Sequence, residues 1–249
     1  MHLWQVEVKN KLLNDLGDFL GIEKVEAKGS VLELEQLDVF SDVDLEVYLR
    51  NDEVIGLEKF FEIITDHCGP IFGYETHQQE KNDVIRICFE NGWRLDLTIY
   101  YRERTAIQVK ADSPAATLTK VINEFWFLAS MVLVKLGRRD FLIASHLALE
   151  LCQMNIVILM LIRDHEKKTN IHRFGDGEDV LMLQRMAQLN ENGEKHENET
   201  VANILNILFE AAQVMDETVA TLDIDDIKRT ENLRMLQKKW FLSSESNRI

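Results

Sequence analysis

Short runs of alternating hydrophobic positions occur only before about residue 112, among shorter helical stretches; beyond it the hydrophobic positions recur at helical spacing over long stretches. Val43, Leu45, Val47 and Leu49 fall on one face of a period-2 segment, which predicts a strand with one buried side. Residues 84–89 and 93–100 alternate likewise and flank Glu90-Asn91-Gly92; Asn-Gly between two apolar runs predicts a hairpin. Residues 22–27 predict a shorter strand running into a turn at Gly29-Ser30, and 31–36 a helical turn. Leu3, Val6, Leu12, Leu13, Leu16, Phe19 and Leu20 predict a first amphipathic helix that ends near Gly17–Gly21. A second helix is predicted over 56–66 with Leu57, Phe60, Phe61 and Ile64 inward, and Gly69-Pro70 breaks it.

At Asp112-Ser113-Pro114 the strand-like alternation stops. Asp112 or Ser113 suits an N-cap with Pro114 in the first turn, so a domain boundary is placed here. Helices are predicted over 116–136 and 141–163, joined by Gly137-Arg138-Arg139-Asp140, and over 180–189, 200–222 and 227–240. Residues 190–199 read as a polar linker and 243–249 as a frayed tail. The expected class is α+β. A small mixed, mostly antiparallel sheet with helices spans 1–112, and an all-α bundle spans 113–249.

Composition and the spacing of particular residue types narrow this picture. Hydrophobic residues at 46% and charged residues at 29% are globular values. Cys68, Cys88 and Cys152 are odd in number and widely spaced, which fits buried thiols in a reducing compartment better than disulfides or zinc ligation. The other histidines (His67, His77, His146, His165, His196) lack the short paired spacing that zinc needs. The first eleven residues carry charges and no apolar core of a signal peptide, and the apolar run 143–162 is interrupted by His146, Glu150, Gln153 and Asn155. A core helix, no membrane partner and a cytoplasmic location are therefore expected.

The net charge is −15, and residues 1–112 hold 12 Lys and Arg against 23 Asp and Glu. Such a surface repels phosphate backbones, so no nucleic-acid partner is expected. It attracts a small cationic molecule.

The acidic residues that carry candidate chemistry are Asp42 and Asp44, at the entrance of the strand containing Val43 to Leu49. Two residues apart, they share its polar face, and two close carboxylates are costly without a cation between them. Mg²⁺ suits such a pair, because it takes one or two carboxylates plus phosphate oxygens. Asp96, on the second hairpin strand with Arg94 and Thr98 on its face, is the third candidate ligand; the plainer alternative pairs it with Arg94 or Arg86. Gly29 permits a backbone that brings amides close to a phosphate, and Ser30 adds a hydroxyl donor.

This order of Gly29-Ser30, spacer, Asp42-Val43-Asp44 and distant Asp96 resembles the nucleotidyltransferase superfamily. The run Asn123-Glu124-Phe125-Trp126 resembles the helical half of aminoglycoside 6-adenylyltransferases, and lincosamide nucleotidyltransferases have a comparable half. The spacer Val31-Leu32-Glu33-Leu34-Glu35 departs from the basic residue or further glycine that many members carry there. The resemblance implies Mg²⁺-dependent transfer of a nucleotidyl group, adenylyl for preference, from ATP or another NTP to a hydroxyl, with pyrophosphate released. Asp42, Asp44 and Asp96 would hold metal, and Gly29 and Ser30 the triphosphate. Either Asp96 or Glu124 would take the hydroxyl proton. The helical domain would form the other wall of a cleft. From the polar loop 169–177, His172 and Arg173 would reach the nucleotide. The expected acceptor is a small hydroxyl-bearing, cationic molecule such as an aminoglycoside or lincosamide. Transfer to a protein hydroxyl, as in toxin–antitoxin pairs, and nucleotide binding without catalysis are the alternatives. The aromatic-rich helices leave room for a homodimer.

Overall fold

The structure, a computed structural model, describes residues 4–19, 21–33, 35, 37–50, 57–101, 114–167, 197–222 and 229–246. Its residues group into two compact units, Met1–Ala111 with Lys238–Ile249, and Asp112–Gln237. The expected helical domain of 113–249 thus contributes its last residues to the first unit.

The first unit holds a five-stranded sheet in the order β1-β2-β5-β4-β3. Its strands are β1 (Ile22–Lys28), β2 (Val43–Leu49), β3 (Ile71–Gln78), β4 (Asn82–Phe89) and β5 (Arg94–Tyr100). Only the β2–β5 pair is parallel. The class is α+β with a mixed, mostly antiparallel sheet. Helices α1 (Trp4–Gly17) and α2 (Leu57–Cys68) belong to the same unit. Val8, Leu12 and Leu16 recur every four residues along α1, and Phe60 and Ile64 do so along α2. They join one buried core with Val43, Leu45 and Val47 of β2, Leu95, Leu97 and Ile99 of β5, and Ile85 and Ile87 of β4. Each such side chain stabilises the fold by about 1.5–3 kcal/mol, so this apolar side holds the sheet in place. The even-numbered residues of β2 and β5 are turned to the opposite face and, the buried Arg94 apart, are only half-buried.

One strand departs from the sequence-based expectation. β3 is built from a segment with Gly73 inside it and a polar second half, and its register slips between Ile71 and Gly73. No alternation marks it; its pairing with β4 makes it a strand. The predicted turn after β1 is a 3-10 turn over Gly29–Leu32.

The second unit contains α3 (Pro114–Gly137), α4 (Phe141–Lys167), α5 (Glu197–Ala220) and the first part of α6 (Arg229–Ser246). Between α3 and α4, Arg139 takes a positive φ of 62°, and the Asp140 amide donates to Lys135 O at 2.9 Å, closing the helix end. Phe125, Trp126, Ala129, Val132 and Leu133 of α3 are buried, with Ala144, Ala148 and Leu151 of α4 and Leu208, Ala212 and Met215 of α5. Asn155, a polar position inside the apolar run of α4, donates from Nδ2 to Ala211 O at 2.9 Å. Both Asp216 carboxylate oxygens accept from the first amides of α6, Arg229 and Thr230, at 3.0 Å each.

By length and composition, Thr117–Gly137 and Phe141–Arg163 are each apolar enough to cross a membrane. The apolar window is 56% buried in α3 and only 28% in α4, where Leu142, Ile143, Leu149 and Val157 are exposed. α4 is therefore a one-sided helix, which buries Ala144, Ala148, Leu151 and Ile158 and leaves its other face exposed. α5 begins at Glu197, inside the expected linker, and α6 runs to Ser246, inside the expected tail. The predicted helix 180–189 and the loop 169–177 lie outside the described residues.

Candidate active site

Parallel pairing of β2 with β5 sets Asp44 directly opposite Asp96. Neighbouring strands lie about 4.8 Å apart, so the two carboxylates rise from the same face side by side. Register then extends this line across the whole sheet: Lys28 lies opposite Asp44, Arg86 opposite Asp96, and Glu75 opposite Arg86. The five strands thus carry one charged row, Lys28–Asp44–Asp96–Arg86–Glu75. Asp42 stands two residues before Asp44 on the approach to β2.

Two arginines hold the outer carboxylates. Arg94, almost wholly buried, donates from Nη2 to Asp42 Oδ2 at 2.6 Å and to Phe40 O at 2.9 Å. Arg86 Nε lies 3.2 Å from Asp96 Oδ2, and its Nη1 donates to Glu75 Oε1 at 2.9 Å. The Arg86–Asp96 pair was open to sequence reasoning, since both fall on the polar face of a predicted hairpin. The Arg94–Asp42 pair and Glu75 were not: the first joins residues 52 apart, and the second sits on the strand that alternation missed.

Between these pairs, and among the described residues, Asp44 forms no ion pair with an arginine. Burial first, then the charge of Asp42, raises its pKa from 3.8 to about 6, against the opposing pull of Arg94 and Arg86. Burial and Asp42 likewise raise Asp96 to about 7, with Arg86 and Arg94 pulling the other way. Both groups are uncomfortable as anions, which is the condition a bound cation relieves. The linkage has a definite sign. With a metal chelator present, this pair stabilises the fold fully below about pH 4, and that contribution is lost as pH rises from about 4 to 7. Melting curves at pH 4.5 and 7.5 should therefore show Asp44→Asn gaining on the parent protein at the higher pH, by on the order of 1 kcal/mol after solvent screening.

The turn after β1 reaches the same carboxylate. Gly29 has φ +63°, and a Cβ placed there would collide with Asp44 Oδ2 and lie 3.2 Å from its Cγ. Only a residue without a side chain allows the turn to lie against Asp44. Ser30 follows in the 3-10 turn, half-exposed. Gly29→Ala should cost about 1–2 kcal/mol through the left-handed backbone. Because it also pushes Asp44 aside, activity should fall by more than stability explains; melting and turnover measured on one preparation check this.

Among the described residues, no three His, Cys, Asp or Glu side chains are gathered closely enough to hold a metal by themselves. The donor set nonetheless fits Mg²⁺, which takes one or two carboxylates and completes its shell with water and phosphate oxygens. Asp42 and Asp44 are all-oxygen donors on one strand entrance, and the raised pKa of Asp44 shows the charge that a cation would balance.

The sequence matches no family model and no curated protein. Several solved structures are similar to it in fold, among them the following two. One is an aminoglycoside 6-adenyltransferase from Bacillus subtilis, at 13% identity and TM-score 0.32, covering 97% of this chain and 99% of that one. The other is a STING-associated CdnE c-di-GMP synthase from Capnocytophaga granulosa, at 13% identity and TM-score 0.26, covering 98% and 80%. At such TM-scores neither likeness carries an argument, and function rests on the residues.

Of the residues expected from sequence, Gly29, Ser30, Asp42, Asp44 and Asp96 are brought to one end of one sheet face. Glu124 belongs to α3 in the second unit, where its carboxylate lies 3.8 Å from Lys120 Nζ. Its neighbour Asn123 is buried and structural, donating to Thr119 O at 2.9 Å and accepting from Arg229 Nη1 at 3.2 Å. His172 and Arg173 lie outside the described residues.

Further along the same face, Tyr48 and Tyr100 stack at 4.9 Å, and the Tyr48 hydroxyl donates to Glu46 Oε2 at 2.7 Å. That bond is the main reason the Glu46 carboxyl is held below its ordinary pKa and the Tyr48 phenol is pushed up to about 12. These groups are locked to one another and extend the polar face beyond the aspartates.

Proposed function

We propose that the chain is a nucleotidyltransferase that moves a nucleotidyl group, adenylyl for preference, from an NTP to a hydroxyl of a small cationic acceptor. The observation that supports this best is the in-register Asp44–Asp96 pair with the Gly29 turn pressed against Asp44. In this reading Asp42 and Asp44 hold Mg²⁺, which would offset charge on the phosphate oxygens during transfer. The Gly29 turn and the Ser30 hydroxyl bind the triphosphate. Asp96, whose pKa lies near neutrality, accepts the proton of the acceptor hydroxyl. That oxygen then attacks the α-phosphorus in line, the bond to the β-phosphate oxygen breaks, and pyrophosphate leaves. Arg94 fixes Asp42, so the carboxylates need little rearrangement when substrate arrives.

The acceptor class rests on charge. A net −15 protein with an acidic first half attracts cationic hydroxyl compounds, of which aminoglycosides and lincosamides are the first to test. The deciding experiment measures Mg²⁺-dependent pyrophosphate release from each NTP against panels of both classes. Release with one class, lost in Asp44→Asn, supports the reading; no release with any acceptor, protein hydroxyls in a co-expressed lysate included, defeats it.

A further inference from the structure

The geometry points to Arg86 as a phosphate-binding residue of this site, one that grips the metal-bound triphosphate while still bonded to Asp96. The inference rests on the nucleotidyltransferase reading and adds to it a residue on β4, a strand that carries none of the expected site residues.

The two arginines beside the carboxylates differ in what they have left to give. Arg94 has a side-chain exposure of 6%, and its Nη2 is engaged by Asp42 and the Phe40 carbonyl, so burial keeps it from a ligand. Arg86 has a side-chain exposure of 45%. A guanidinium carries five N–H donors in a rigid fork. Arg86 uses Nε toward Asp96 and one Nη1 hydrogen toward Glu75, and among the described residues its Nη2 makes no hydrogen bond. The cation is thus clamped from two sides, by Asp96 on β5 and Glu75 on β3, on the polar face where Asp44 and Asp96 stand. A clamped arginine with unused donors loses little freedom on taking an anion. Neither the half-exposure nor the clamp is needed to hold the sheet, whose core lies on the opposite face.

Charge gives the second argument. Three aspartates with two arginines leave the site with a formal charge of about −1, a weak lure for a bare divalent ion. A metal already carrying phosphate finds carboxylates for itself and a guanidinium for its oxygens. Arg86 therefore biases the site toward the metal–triphosphate complex over free metal. A purely structural arginine would move both affinities the same way; a phosphate-binding one moves them apart.

Calorimetry on the full chain separates these roles with two probes, Mn²⁺ alone and inorganic tripolyphosphate with Mg²⁺, neither of which depends on the nucleotide base. Arg86→Gln should weaken tripolyphosphate–Mg²⁺ binding at least tenfold while binding Mn²⁺ as well as the parent protein or several-fold better. Arg86→Lys, which keeps the charge but not the fork, should fall between them and guards against misfolding of the first variant, with melting curves recorded for both. Unchanged tripolyphosphate binding in Arg86→Gln overturns the assignment. Equal weakening of both probes also overturns it and makes Arg86 only a support for Asp96. If the parent protein binds neither probe, or Asp44→Asn leaves both unchanged, the nucleotidyltransferase reading fails and Arg86 with it.

Discussion

Asp44→Asn should leave a folded protein whose transfer rate is reduced by about 10³-fold or more, because charge stabilisation and positioning carry most of phosphoryl-transfer catalysis. The substitution keeps the shape and removes the charge. Shape matters here, since the Gly29 turn lies against this side chain and the strand core beneath it is closed by Val43 and Leu45. Charge is what the fold would do without: burial and Asp42 already push Asp44 up to about 6. The variant should therefore melt no lower than the parent protein in chelator at neutral pH, and Mg²⁺ should raise its melting temperature less. Pyrophosphate release and melting curves on the same sample test both halves. A folded variant with near-parental turnover removes Asp44 from the metal site; a variant that unfolds shows that the carboxylate is structural.

The opposed effects on activity and stability explain why the site was partly legible in the sequence. A residue pair that disfavours its own folded state stands out, and Asp42 and Asp44 occupy the polar positions at the entrance of a clear apolar alternation. Alternation also placed Asp96 on the polar face of β5 and paired β4 with β5 through Asn91-Gly92. What alternation does not encode is which strands are neighbours. β2 and β5 pair in parallel across the intervening α2, β3 and β4, so the Asp44–Asp96 juxtaposition came from the resemblance rather than from the period. β3 was invisible for a related reason: Gly73 and the polar run to Gln78 lack an apolar face, and pairing with β4 alone keeps them extended. Glu75, and with it the clamp on Arg86, was lost along with the strand. Two helix ends fell short in the sequence reading, since α5 already begins at Glu197 and α6 continues to Ser246, where neither a Gly nor a Pro stops the turn.

Asp96→Asn should lower turnover by about 10²–10⁴-fold, the range for loss of a positioned general base, whereas Glu124→Gln should stay within about tenfold. Both carboxylates follow from the sequence as proton acceptors, and their surroundings now separate them. Glu124 sits one helical turn from Lys120 on α3, an i,i+4 pair of the kind that supports an exposed helix face. Asp96 is fixed by Arg86, stands in register with Asp44, and has a pKa near 7, so at neutral pH it is able both to take a proton and to return it. The pH profile distinguishes a base from a mere ligand. If Asp96 takes the proton, the parent's rate should rise with pH through its substrate-bound pKa, and the residual rate of Asp96→Asn should lose that limb. A profile that keeps its acid limb in Asp96→Asn but loses it in Glu124→Gln would reverse the assignment and make Glu124 the base.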